Sequence, residues 1–171
     1  WSGWSGTLGL TAGTLEAAGG SLSLSQISTG ANTTLKLSAD TEITSASNYT
    51  FGTVNLSGKK LTMGGNGGLT LPNALNMSAG SKIETKTSDL TLSSALQLTT
   101  GSITSTGGTL SFAGGLTVGG TGSMSVLDSI LSVNQNLNFT SASFESSVLD
   151  LQGATTLTSN GLVSFKKVNL N

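Results

Sequence analysis

The sequence repeats a triplet of one apolar, one polar and a second apolar residue about every 20 to 21 positions. The clearest triplets are Val54-Asn55-Leu56, Leu75-Asn76-Met77, Leu96-Gln97-Leu98, Leu116-Thr117-Val118 and Leu137-Asn138-Phe139. A fixed period of this length is typical of repeat proteins, whose units bury their apolar side chains only by stacking on neighbouring units. The repeat therefore constrains the architecture of the chain more than any single motif does.

Each triplet has the alternation of a short β-strand, because successive side chains of a strand point to opposite faces. Three such strands fit one period, and glycine pairs such as Gly64-Gly65 and Gly107-Gly108 allow sharp corners between them. We therefore predict an all-β, single-stranded parallel β-solenoid (β-helix) of about eight coils, with three short strands per coil and right-handed winding. An antiparallel sandwich is the alternative, and it favours two-residue hairpin turns such as Asn160-Gly161.

The alternation also predicts three columns of polar side chains on the outside of the solenoid. The first-strand column is Thr50, Thr70, Thr91, Ser111, Ser132 and Asp150; the middle-strand column is Lys36, Asn55, Asn76, Gln97, Thr117, Asn138 and Thr158; the third is Ser23, Thr44, Thr62, Glu84, Thr104, Ser125, Glu145 and Ser164. Stacked amides and hydroxyls support a sheet by hydrogen bonding along the column. Alternatively, Asn55, Asn76, Gln97, Thr117 and Asn138 form an exposed polar face for a ligand such as a sugar, or for self-association.

The composition excludes several classes of function. Only 9% of the 171 residues are charged and the formal net charge is −1, so the chain lacks the basic surface that nucleic-acid binding needs. It has no Cys and no His, which removes disulfides and thiolate or imidazole metal ligands. Apolar runs are too short for a membrane span or a signal-peptide core, so we expect a secretion signal outside this segment. We predict no cofactor and no metal site.

Catalysis by paired carboxylates is the natural enzymatic hypothesis for a β-solenoid. Glycosidases need two carboxyl groups about 5 to 9.5 Å apart. Glu84 and Glu145 share the predicted third column but lie three coils apart, which is too far. Asp40 and Glu42 are close together, yet no Arg, His or second acidic group accompanies them. The sequence therefore predicts no catalytic residues, and we expect that the chain is not an enzyme.

Three further motifs are incomplete. The stretch Gly64-Gly65-Asn66-Gly67-Gly68 is similar to glycine-rich calcium repeats but lacks their Asp. Thr50, Thr70 and Thr91 align as in ice-binding solenoids, but no second rank of Thr accompanies them. Asn-x-Ser/Thr triplets begin at Asn32, Asn48, Asn55, Asn76 and Asn138, as chance predicts for a chain rich in these residue types.

Neither end of the sequence has the polar or helical cap that usually closes a solenoid. We interpret residues 1–171 as one β-solenoid domain or as a segment of a longer one, with residues 1–6 as an N-terminal cover or linker and residues 168–171 as the start of a further coil. Trp1 and Trp4 are the predicted end contact. We expect either flanking coils or end-to-end stacking of subunits into a filament.

Two strings carry a resemblance to known proteins: Gly108-Thr109-Leu110-Ser111-Phe112-Ala113-Gly114-Gly115-Leu116-Thr117-Val118 and Lys60-Leu61-Thr62-Met63-Gly64-Gly65-Asn66-Gly67-Gly68-Leu69-Thr70-Leu71. They resemble the β-helical passenger or stalk regions of bacterial autotransporters and of filamentous-haemagglutinin-type exoproteins. This likeness in composition and period covers nearly the whole chain. The scarcity of Asp departs from calcium-loaded repeat adhesins.

The resemblance implies secretion to a bacterial cell surface and work as a stalk, adhesin or extracellular fibre. The implied partners are copies of the chain itself or flanking solenoid coils, and cell-surface glycans or a host surface. The alternative is a carbohydrate-binding or carbohydrate-processing β-helix whose active residues lie outside this segment.

Overall fold

A computed structural model describes residues 8–25, 27–140, 142–153, 155–161 and 163–171. These residues form 24 short strands and, within those ranges, no helix. Their strand pairings are parallel, and each pairing joins a strand to its equivalent in the next coil. The predicted parallel β-solenoid of about eight coils is therefore confirmed.

The strands follow one another in groups of three along the chain. The first four coils contain β1 (Leu8–Gly9), β2 (Gly13–Ala17) and β3 (Gly20–Ser23); β4 (Ile27–Ser28), β5 (Thr33–Leu37) and β6 (Thr41–Ser45); β7 (Tyr49–Thr50), β8 (Thr53–Asn55) and β9 (Lys60–Gly65); and β10 (Leu69–Leu71), β11 (Ala74–Asn76) and β12 (Lys82–Lys86). The later coils contain β13 (Leu90–Leu92), β14 (Leu96–Leu98) and β15 (Ser102–Ser105); β16 (Thr109–Phe112), β17 (Leu116–Val118) and β18 (Ser123–Leu127); β19 (Ile130–Val133), β20 (Leu137–Phe139) and β21 (Ala142–Glu145); β22 (Val148–Leu151) and β23 (Leu157–Ser159); and finally β24 (Lys167–Leu170).

The coils stack into a rod with three sheet-forming faces. The first face is a seven-stranded sheet in the order β24-β22-β19-β16-β13-β10-β7, next to the separate pair β1-β4. The middle face is divided into β11-β8-β5-β2 and β14-β17-β20-β23. The third face is one sheet in the order β21-β18-β15-β12-β9-β6-β3. The breaks on the first and middle faces fall at different coils, so an unbroken sheet crosses each break on another face.

The inward side chains of the triplets form one hydrophobic core along the rod. Leu96 and Leu98 of β14, for example, pair with Leu116 and Val118 of β17, and all four are buried. Each fully buried aliphatic side chain of this kind contributes roughly 1.5 to 3 kcal/mol. The stacked apolar columns are therefore the main source of stability, as the alternation predicts.

Glycine and serine build the corners. Gly101 has φ 78, and a side chain there would meet the Ser81 carbonyl oxygen at 2.6 Å, so this corner requires glycine. At another corner, the hydroxyls of the buried residues Ser105 and Ser129 are hydrogen-bonded at 2.9 Å. Ser147 Oγ donates a hydrogen bond of 2.9 Å to the Val126 carbonyl. Because these hydroxyls find partners inside the rod, the serine-rich corners can be buried without a large desolvation cost.

The third polar column differs from the prediction by a two-residue shift in register. The observed pairs are Thr62 with Glu42 instead of Thr44, and Ser125 with Ser143 instead of Glu145. Glu84 and Glu145 therefore lie in different columns. A shift of two residues preserves the inward and outward alternation, so the hydrophobic pattern alone does not reveal it.

Candidate functional site

Charged side chains gather on the third face where β6, β9 and β12 lie side by side. Glu42 pairs with Thr62, and Thr62 pairs in turn with Glu84, so that one column carries two carboxylates with a hydroxyl between them. The surrounding cleft has a volume of about 420 Å³ and is lined by Gly20, Asp40, Thr41, Glu42, Lys60, Thr62, Glu84 and Lys86. In a chain with so few charged residues, this cluster is the main candidate for a catalytic site.

Two ion pairs cross the cluster in opposite directions along the rod. Lys86 Nζ reaches back over two coils to lie 3.0 Å from Glu42 Oε1, whereas Lys60 Nζ reaches forward to lie 3.5 Å from Glu84 Oε2. A Cβ atom on Gly64 would lie only 2.6 Å from Glu42 Oε1. The carboxylate therefore packs directly over that glycine. All four charged groups remain well exposed, and each pair therefore contributes at most about 1 kcal/mol.

The spacing of Glu42 and Glu84 invites comparison with glycosidases. Their strands are separated by β9 alone, which places them roughly 9.6 Å apart, near the upper limit of about 9.5 Å for the carboxyl pair of inverting enzymes. The sequence does not reveal this pair, because the predicted register aligns Glu84 with Glu145 and not with Glu42. Each carboxylate is engaged by an ammonium group, an arrangement that suits an ion-pair network better than an acid and a base.

Asp40, the other half of the predicted Asp40/Glu42 pair, bonds to the backbone instead. Its Oδ1 accepts a hydrogen bond of 2.8 Å from the Lys60 amide in the next coil. Asn48 Oδ1 accepts from the Gly68 amide at 2.8 Å in the same way. These side chains hold successive coils together, because each satisfies a backbone donor that the sheet leaves free.

The middle polar column forms two ladders. Asn55 and Asn76 are in register on β8 and β11, while Gln97, Thr117 and Asn138 are in register on β14, β17 and β20. Asn76 Nδ2 donates to Asn55 Oδ1 at 2.5 Å, and Asn138 Nδ2 donates to Thr117 Oγ1 at 3.4 Å. The five predicted residues are therefore brought together as two groups, which the break between β11 and β14 separates.

A second, smaller cleft lies beside the Asn55–Asn76 pair. Its volume is about 250 Å³, and it is lined by Lys36, Asn55, Ser57, Asn76, Met77 and Ser78. Asn76 and Ser57 are exposed, while Met77 is half-buried. The cleft therefore combines amide and hydroxyl groups with one apolar wall.

Lys36, at one end of this cleft, has an acidic neighbour. Its Nζ lies 3.5 Å from Glu16 Oε1, and the Ser38 hydroxyl also donates to Glu16 Oε1. The hydrogen bond from Ser38, followed by the charge of Lys36, holds the pKa of Glu16 below its ordinary value of 4.5. The cation at the end of the cleft is therefore balanced by a carboxylate.

The other predicted features are the tryptophan end contact and the first polar column. Trp1 and Trp4, the predicted end contact, lie outside the described residues. The first column extends in register from Thr50 to Asp150 and continues to Asn169.

Across the described ranges, no group of three or more His, Cys, Asp or Glu side chains is placed to hold a metal ion. No helix in the described part of the chain is long and apolar enough to cross a membrane.

No protein-family model, no curated protein and no solved structure matches this chain.

Proposed function

We propose that this chain is an extracellular structural β-solenoid, which serves as a stalk or fibre-forming segment of a secreted or cell-surface adhesive protein and has no catalytic activity of its own. The observation that carries the proposal is the single apolar core that runs through the stacked coils. Such a core suits a role in which length and stiffness matter, because every coil is stabilised by its neighbours.

The outer surface supports the same role. Glu42 and Glu84 are engaged in ion pairs, and Asp40 and Asp89 accept hydrogen bonds from backbone amides of the next coil. These acidic groups thus act between coils of the same rod. A surface of this kind suits a passive spacer or an adhesive fibre more than a centre of turnover.

The C-terminal side of the rod supports assembly. Val168 and Leu170 of β24 are 49% and 78% exposed, and Leu157 of β23 is 44% exposed. Within the described residues, β24 pairs with β22 along one edge and has no strand on the other. Exposed strand edges readily pair with further strands. As part of the proposal, further solenoid coils cover this surface, supplied by flanking sequence or by a second copy.

Negative-stain microscopy tests this proposal with a matched pair of variants. We expect the purified chain to form long thin fibres at high concentration, and the double variant Val168→Lys, Leu170→Lys to give short rods. Ile130→Lys is the control, because Ile130 is 42% exposed on the side of the rod and its variant should still form fibres. If the double variant still forms fibres, the surface at Val168 and Leu170 is not the contact between subunits.

The cleft beside Asn55 and Asn76 favours a second candidate function, carbohydrate binding. Retention of the chain on an immobilised polysaccharide would support this function, and isolated short rods under the microscope would argue separately against the fibre.

A further inference from the structure

The hydrogen bond between Asn55 and Asn76 leaves one amide donor and one amide acceptor of this cleft-lining pair for a ligand. A carboxamide has one oxygen acceptor and two N–H donors. The bond from Asn76 Nδ2 to Asn55 Oδ1 uses the oxygen of Asn55 and one N–H of Asn76. Within the part of the chain that the structure describes, neither Asn55 Nδ2 nor Asn76 Oδ1 has a further hydrogen-bond partner.

Other groups extend this pattern along the cleft. Lys36 is in register with Asn55 on the preceding coil, so its strand lies about 4.8 Å from that of Asn55 and its side chain lines the same cleft. Ser57 and Ser78 add hydroxyls, and Met77 forms the apolar wall. Met77 Cε lies 3.0 Å from the position that a Cβ atom on Gly101 would occupy, so Met77 packs against the next coil.

We propose that this cleft binds one ring of a neutral saccharide. Each hydroxyl of a sugar both donates and accepts, so ring hydroxyls can bond to the Asn55 Nδ2 donor and to the Asn76 Oδ1 acceptor. The C–H face of the ring can pack on Met77, as in small-molecule sites that combine an apolar wall with a few placed polar groups. The volume of about 250 Å³ is below the range of about 300–1,000 Å³ for drug-sized ligands, and it suits a single ring.

Electrostatics selects a neutral sugar over an acidic one. Among the described residues, Lys36 is the one cation that lines the cleft, and Glu16 Oε1 lies 3.5 Å from its ammonium group. A uronate carboxylate would meet Glu16 as well as Lys36, so the pair gives little net attraction. This inference goes beyond the proposed stalk and does not depend on whether fibres form.

The test is an NMR titration of the isotopically labelled chain with the methyl glycosides of glucose, galactose and mannose. We expect at least one of them to shift the side-chain amide signals of Asn55 and Asn76 in a saturable way, with a Kd on the order of 1 mM, as suits a small ligand with few contacts. The double variant Asn55→Ala, Asn76→Ala should bind at least about tenfold more weakly. Both side chains point to the outer face, so the double variant loses the hydrogen bond between them but should remain folded, which its unfolding transition checks.

Asn138→Ala is the matched control. Asn138 also lies in the middle column and bonds to Thr117, but it does not line this cleft, so its variant should bind as the wild type does. Three results would overturn the proposal: no saturable shift with any of the three glycosides, equal binding by the double variant, or tighter binding of methyl glucuronate than of the neutral sugars.

Discussion

At the residue scale, position within the triplet decides what a side chain does. Leu116 is 1% exposed and packs between neighbouring coils, whereas Gln97 points outward and is exposed. The two residues lie on adjacent strands, with Leu116 paired to Leu96 and Gln97 paired to Thr117. They therefore provide a direct comparison of an inward and an outward position in the same part of the rod.

We predict that Leu116→Ala lowers the free energy of unfolding by about 2 to 5 kcal/mol, because it leaves a cavity in the core. Gln97→Ala should change it by at most about 0.5 kcal/mol, since a surface side chain is truncated. Urea unfolding of both variants measures these changes. A larger loss for Gln97→Ala than for Leu116→Ala would show that the assigned faces are reversed.

Tyr49 is a residue whose hydroxyl works against the fold. It is the only tyrosine of the chain, it is 6% exposed, and its hydroxyl has no hydrogen-bond partner among the described residues. Burial raises the pKa of Tyr49 well above its ordinary value of 10.0, because the phenolate would lose its hydration. The folded state therefore keeps a proton that the unfolded state releases in alkali, and stability is lost as the pH rises above about 10.

We predict that Tyr49→Phe stabilises the chain by about 1 kcal/mol at neutral pH, because it removes an unpartnered buried hydroxyl. The variant should also lose less stability between pH 9 and 11 than the wild type, which urea unfolding across that range can measure. The absorbance of tyrosinate follows Tyr49 directly, since no other tyrosine contributes. Ionisation of Tyr49 near pH 10 in the folded protein would contradict its burial.

At the element scale, the sequence predicts the strands well and their register less completely. The triplets at Leu96 and Leu116 coincide with β14 and β17, because glycine corners and strict alternation mark both the ends and the faces of such strands. The third face has longer strands, in which Glu42 and Thr44 both point outward. Sequence alternation cannot choose between them as the partner of Thr62, and the Glu42–Lys86 ion pair over two coils therefore has no sequence signal.

The break in the middle face gives a prediction about local stability. β14 has a paired strand only on the side of β17, whereas β17 lies between β14 and β20. We expect the amides of β14 that face β11 to exchange hydrogen faster than any amide of β17, because no strand protects them. Hydrogen exchange followed by NMR measures both strands in one sample. Equal protection in β14 and β17 would argue that the middle sheet is continuous in solution.

At the scale of the whole molecule, the chain is a rod of about eight coils, and its length is roughly 38 Å at one strand spacing per coil. Each coil depends on the one before it, so stability is close to a sum of coil and interface contributions. Within the described ranges, the two breaks in the sheets lie on different faces, so each broken level keeps sheet pairing on another face.

The direction of the backbone hydrogen bonds has a mechanical consequence for such a rod. The bonds that join one coil to the next, such as those between Leu96–Leu98 and Leu116–Val118, lie along the long axis. Tension between the two ends acts on these layers in series, and the coil at the weaker end detaches first. A released coil of about 20 residues extends to roughly 70 Å. Under tension, such a rod would therefore unfold one coil at a time instead of losing all of its coils in a single step.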